Sequence, residues 1–277
     1  MNRIVYSSAV SFIFLLTPLW LPAQPDSLSV RYTGEEKKIT HLLGKTSLSL
    51  SITQYGSRRD LVFINLHDDE FTSVEAARQI LQQQGGVLIK IHNKGERRIT
   101  FHHGGRKYMF DPNRIFSRTG ILQTLKRHSR ISRSATEQIR KLSQRLLALI
   151  PREARYVIAL HNNTDGEPLS ILNYQAGNSL SVNAREVCHT PSQDPDDFFL
   201  TTSGQVHQHF CEAGYNSVWQ HHQKAEEDGS LSIYYRNHKR IVYINCETEH
   251  GKTGQYFNML QILLEVIPSP AMSEKIH

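Results

Sequence analysis

The stretch "RDLVFINLHDDEFTSVEAARQILQQQGGVLIKIHN", residues 59–93, decides the fold. "LVFIN" is a short apolar run, as expected of a strand covered on both faces rather than wetted on one. In "TSVEAARQILQQQG" the apolar residues recur at helical spacing, with Thr72 or Ser73 as the expected N-cap and Gly85 as the C-cap. "GVLIKIHN" is the next strand. A strand, a helix and a second strand in this order make a crossover unit of a parallel pair. Its turn is unusual, because the chain leaves the sheet through His67, Asp68, Asp69 and Glu70. Either this is an acidic turn capping the helix, or His67 and Glu70 hold a metal.

Outward from this unit, "SLSLSITQYG" alternates and reads as a strand or hairpin arm. "RRITFHH" and "KYMFDP" are short extended pieces around a Gly-Gly turn. "SATEQIRKLSQRLLALI" is helical and stops at Pro151. "ARYVIALHNNTDG" is another buried strand ending in a polar cluster. "QVHQHFCEAGYNSVWQHH" reads as helix interrupted at Gly214, and "GSLSIYYRNHKRIVYINCETEHG" as two strands joined by "RNHK". "TGQYFNMLQILLEVI" is a final helix ended by Pro268. Alternating strands and helices predict one α/β domain, three-layered α/β/α, with a mixed, largely parallel sheet.

The chain has 277 residues and a formal net charge of +6. "MNR" followed by "IVYSSAVSFIFLLTPLWL" and the small, polar "PAQPDSLS" reads as a secretory signal peptide over residues 1–24, leaving one domain over 25–277 and an exported, periplasmic or extracellular protein. No later stretch is apolar enough to span a bilayer. The basic residues are scattered and form no stripe interleaved with aromatics, which argues against nucleic acid. An anionic small substrate or a cell-wall polymer fits export better. Of the three cysteines, Cys188 and Cys211 are the plausible pair, and Cys246 is expected to be buried and inert.

The polar clusters share a location. His67 with Glu70, then His161, then Glu247 or Glu249, all fall at the C-terminal ends of expected strands, where open α/β sheets place ligands. Two imidazoles and one carboxylate leave an open metal position for water, which suits catalytic Zn²⁺. Glu247 or Glu249 in "NCETEHG" then offers a general base. In "DPNRIFSRTG", Arg114 with Asn113 beside it suits a substrate carboxylate, and Arg106, a little earlier, suits a developing oxyanion.

These motifs together resemble the zinc carboxypeptidase superfamily, especially its aspartoacylase and succinylglutamate desuccinylase branch. "HDDEFTSVEAA" is similar to the family's "HGxExxGxxAA", "DPNRIF" to "DLNRxF", "ALHNNT" to "DLHNTT" and "EHGK" to "ExGK". The resemblance runs from about residue 60 to 255 in the family's order. It implies zinc on His67, Glu70 and His161, and substrate-carboxylate contacts on Asn113 and Arg114. It also implies an oxyanion contact on Arg106 and favours Glu249 over Glu247 as base. Asp68 departs from the family's Gly, Pro112 from its Leu, and Ala159 from an Asp that braces a zinc-bound histidine. The tyrosine that closes over substrate falls on Tyr234 or Tyr235. The expected activity is hydrolysis of an amide next to a free carboxylate, on peptides or cell-wall stem peptides. An N-acyl-amino-acid deacylase and a non-catalytic zinc- or peptidoglycan-binding protein are the alternatives.

Overall fold

A computed structural model describes residues 31–163 and 169–267. The expected signal peptide lies outside the described residues. An antiparallel hairpin of β1 (Gly34–Leu43) and β2 (Thr46–Tyr55) comes first. Then follow β3 (Leu61–Asn65), α1 (Phe71–Gln84) and β4 (Gly86–His92), the crossover unit that residues 59–93 predict, with β3 and β4 parallel. The small hairpin β5 (Ile99–His103) and β6 (Arg106–Phe110) forms a separate sheet. Helices α2 (Arg118–His128) and α3 (Arg133–Leu149) lead to β7 (Tyr156–Asn163). The remainder is β8 (Ala184–Cys188), β9 (Phe198–Thr201), α4 (Gly204–Glu212), β10 (Ser217–Gln220), α5 (Leu231–Tyr235), β11 (Val242–Glu249) and α6 (Thr253–Val266).

The main sheet has nine strands in the order β1-β2-β4-β3-β7-β11-β9-β10-β8. It is mixed, as expected, but not largely parallel. The contiguous strands β4, β3, β7 and β11 run parallel, and β9 runs parallel to β10. The other four pairings are antiparallel. Parallel pairing needs a crossover element, which the chain supplies between the central strands and, as α4, between β9 and β10. The sheet's flanks are filled by a direct hairpin and by short strands.

The central strands are buried on both faces because their alternate residues serve different cores. Val62 and Ile64 of β3, with Val157 and Ala159 of β7, pack with α2, α3 and the small hairpin. Leu61, Phe63, Ile158 and Leu160 pack with α1, α4 and α6. This is the three-layer arrangement, and a side chain's parity within a strand fixes which layer it meets.

Two segments differ from expectation. Gly214, at φ +77°, ends the α4 segment for good, and "SVWQ" beyond it is strand β10 rather than renewed helix. "LSIYY" is helix α5, not a strand. Ser230 caps it, its hydroxyl accepting from the Ile233 amide, and the Leu231 amide donates to Asn113 Oδ1 at 3.1 Å. The α1 N-cap also shifts. It stands at Glu70, whose side chain makes no cap bond, and Asn162 Oδ1 from β7 accepts the Ser73 amide instead. Among the described residues no helix is long and apolar enough to cross a membrane.

Candidate metal centre

His67 and Glu70 sit in the turn between β3 and α1, and His161 lies near the C-terminal end of the neighbouring strand β7. All three are buried, and their donor atoms lie within 4.8 Å of one another. His67 Nδ1 is 3.0 Å from Glu70 Oε1, and His161 Nδ1 is 3.0 Å from Glu70 Oε2. Two imidazole nitrogens thus converge on the two oxygens of one carboxylate. Glu70 is fully buried, yet His67 and His161 overcome the desolvation and hold its carboxyl well below the ordinary carboxylate range. This donor set can coordinate a divalent metal ion.

The outer nitrogens of both rings are engaged. His67 Nε2 donates to Asp111 Oδ1 at 2.8 Å, and Asn113 Nδ2 lies 3.4 Å from His161 Nε2. A carboxylate on the far ring nitrogen fixes the tautomer and aims Nδ1 at the ion, as in metal sites generally. Asp111 is held in turn. Its amide donates to Thr124 Oγ1 at 2.8 Å, and its Oδ1 also accepts the Asn113 amide at 2.8 Å. Burial would lower the pKa of His67, but Glu70 and Asp111 together push it up to about 9. Without an ion, His67 is an imidazolium between two carboxylates. The fit to a metal rests on this arrangement, in which an ion can replace the proton on Nδ1.

Glu247 and Glu249 both lie on β11, which pairs in parallel with β7, Glu247 opposite His161 and Glu249 opposite Asn163. Glu247 is buried. Burial raises its pKa, and the fields of His161, Glu70 and Arg97 act on it. Asn245 Nδ2 donates to its Oε1 at 3.0 Å. Glu249 instead forms an ion pair with Lys252, which also bonds Asp194. The structure therefore brings Glu247 beside the cluster and ties Glu249 to a lysine. Tyr256 of α6 locks this register. Its hydroxyl accepts the His161 amide at 3.1 Å and donates to the Cys246 carbonyl at 2.7 Å.

The arginines are placed differently from one another. Arg106 starts β6 at the exposed end of the small hairpin, and none of its contacts is with the cluster residues described above. Arg97 Nη1 donates to Glu70 Oε1 at 2.5 Å while its side chain stays 43% exposed. Sequence reasoning passes over Arg97, because its position depends on a turn. Asp68 makes that turn. It accepts from Lys90 Nζ and from the amides of Asn93 and Gly95, fixing the segment that delivers Arg97. Asp68 thus turns its carboxylate to the turn and the lysine. Ala159 is buried in the core, and bracing of a candidate ligand comes from Asp111 on His67 instead.

Asn113 and Arg114 occupy the short helical turn Pro112–Arg114, next to the cluster. Arg114 Nη1 donates to the Asn113 carbonyl, its Nε lies 3.6 Å from Asp228, and the side chain is 40% exposed. Tyr234 is exposed beside Phe116, on the wall of a groove of about 980 Å³ between α2 and α3 that no cluster residue lines. Tyr235 is buried against Tyr243.

No family model matches the chain, and no curated protein matches it. Among solved structures it is similar to a candidate metallopeptidase of Shewanella denitrificans, at 13% identity over 83% of this chain and 82% of that one, with a TM-score of 0.38. A candidate metallopeptidase of Shewanella baltica is 14% identical over 84% and 86%, with a TM-score of 0.37. LapA of Legionella pneumophila is 9% identical over 84% and 60%, with a TM-score of 0.37. These are distant likenesses.

Proposed function

We propose that this chain is an exported zinc-dependent hydrolase that cleaves an amide bond next to a free carboxylate, a carboxypeptidase acting on peptides or cell-wall stem peptides. The observation that carries this reading is the convergence of His67, Glu70 and His161 with Glu247 beside them and Asn113–Arg114 at the margin. Zinc suits two imidazoles and a carboxylate, and when bound it supplies a Lewis acid for the scissile carbonyl. The resemblance to zinc carboxypeptidases in "HDDE", "DPNR" and "ALHNNT" supports the same reading.

The chain's residues take these roles. Arg114 and Asn113 hold the substrate carboxylate, since a half-exposed guanidinium presents a planar fork to two oxygens. Glu247 is the general base. Its raised pKa brings a carboxylate nearer to the working pH, where proton transfer is most effective. Arg97, aimed at the cluster and partly open to solvent, takes the oxyanion position for which sequence spacing nominates Arg106.

The test is a matched pair of substrates, a peptide with a free C-terminus and its amide, against wild type, Glu247→Gln and Glu249→Gln. The free acid should be cut and the amide spared. Glu247→Gln should keep its metal and lose turnover by roughly 10²-fold or more, with Glu249→Gln much less affected. Equal cleavage of acid and amide overturns the carboxylate anchor. Reversed glutamate results move the base to Glu249. Cleavage of N-acyl amino acids alone makes the protein a deacylase, and bound zinc without any turnover makes it a binding protein.

A further inference from the structure

Away from the metal centre, the strand β8 closes one edge of the main sheet, and helix α4 packs on the neighbouring strands β9 and β10. Glu186 and Cys188 are two apart on β8, so both side chains point to the same face. Glu186 reaches His207 Nε2 on α4, at 3.8 Å. Cys188 is opposite Ser217 in the β8–β10 ladder, and Ser217 Oγ lies 2.9 Å from His207 Nδ1. His207 and Cys211 are four apart on α4 and share one helix face. Cys211 Sγ lies 3.6 Å from His207 Nε2. His207 is thus touched from the strand side by Glu186 and Ser217 and from its own helix by Cys211. The strand face that carries Glu186 and Cys188 therefore meets the helix face that carries His207 and Cys211.

We propose that Cys188 and Cys211 form an intramolecular disulfide that staples the edge strand β8 to helix α4. Both thiols are only half-buried and open to a small oxidant, whereas Cys246 is fully buried under α6 and takes no part. Burial and the adjacent Cys188 push the Cys211 thiol upward, as two thiols sharing one site should. The oxidant is a low-molecular-weight disulfide. One protein thiolate attacks a sulfur of that disulfide, its S–S bond breaks, and one small thiol leaves. The second protein thiolate then attacks the mixed disulfide, forming Cys188–Cys211 and releasing the second small thiol. Both protons end on the released thiols, the protein pair is oxidised and the small disulfide is reduced. This inference is independent of the hydrolase reading.

The experiment uses the full chain, reduced and then equilibrated with oxidised glutathione. Thiol titration should fall from three groups to one, and peptide mapping should recover a single linked peptide joining Cys188 to Cys211. Closing this loop should raise the thermal midpoint by about 5 °C or more. Cys188→Ser and Cys211→Ser should each take up one glutathione and show no such rise. The proposal is overturned if all three thiols still titrate, or if the linked peptide contains Cys246 or joins two chains. It is also overturned if the midpoint rises equally in Cys188→Ser, or if the thiols are masked by a metal that a chelator releases.

Discussion

Asp111 makes His67 doubly hydrogen-bonded, with a carboxylate on each ring nitrogen. The metal-free protein must therefore be sensitive to pH in a defined direction. The pKa of His67 in the folded chain, about 9, lies above its ordinary value of 6.5. Its contribution to stability is full below about 6.5 and is lost as pH rises through about 9. Glu70 shifts the other way, well below 4.5, so its contribution is present above that value and fades as pH falls toward its folded value. The metal-free form should be most stable between about pH 4.5 and 6.5. Binding an ion displaces the His67 proton, so the alkaline loss should vanish in the loaded protein. Urea unfolding of chelated and loaded protein near pH 6 and near pH 9.5 checks this. Equal midpoints for the chelated protein at both pH values contradict the imidazolium assignment.

At the scale of elements, the 111–116 segment is clamped to the turn before α5. The Phe116 amide donates to the Gly229 carbonyl at 2.9 Å, and Asn113 Oδ1 accepts the Leu231 amide. Gly120 at the start of α2 allows the approach. A Cβ there would stand 2.3 Å from Gly229 Cα and 2.7 Å from the Arg114 carbonyl, both backbone atoms with little room to yield. Gly120→Ala should destabilise the fold by roughly 1–3 kcal/mol and should raise KM for the free-acid peptide, because it shifts the chain that carries Asn113 and Arg114. Gly177→Ala is the comparison. Gly177 has φ +86° and nothing within 4 Å, so the substitution strains only its own backbone and should leave KM alone. Matched rises in KM for the two variants would break the link between this clamp and substrate binding.

Over the whole molecule, the candidate metal site joins segments far apart in the chain, the β3–α1 turn and the end of β7, with Asp111 behind them. Such a site exists only in the folded state, so ion binding adds to folding stability. At a free zinc concentration about a hundred times its Kd, the gain is about 2.7 kcal/mol. Scanning calorimetry should show the midpoint rise with zinc and fall with a chelator, and His161→Ala should lose this response. The same dispersion limits what the sequence discloses. His67, Glu70 and His161 are legible because each follows an apolar run that ends at the sheet's C-terminal edge. The crossover unit is legible because apolar period and glycine punctuation agree there. Asp111 is hidden in plain view, since an Asp before Pro reads equally as a turn former, and here it also accepts the Asn113 amide. Arg97 depends on a turn held by Asp68, and turns of that kind leave no periodic signal. The choice between Glu247 and Glu249 depends on how β11 docks beside β7 and on where Lys252 lands, which are tertiary facts. The short strands β8, β9 and β10 escape because four or five residues carry too little pattern.

Strand β1 lies at the edge of the main sheet. Among the described residues it is paired on one side only, by β2, so its other rim carries unpaired amides and carbonyls that a second chain can recognise. The rim opens with Glu35, Glu36, Lys37 and Lys38 in succession, all exposed. A second strand docking there must strip water from four consecutive ions, two of each sign, before it gains a hydrogen bond. In-register stacking of identical copies in parallel would set like charge over like. Charges placed in this way blunt an open sheet edge against fibril-like growth.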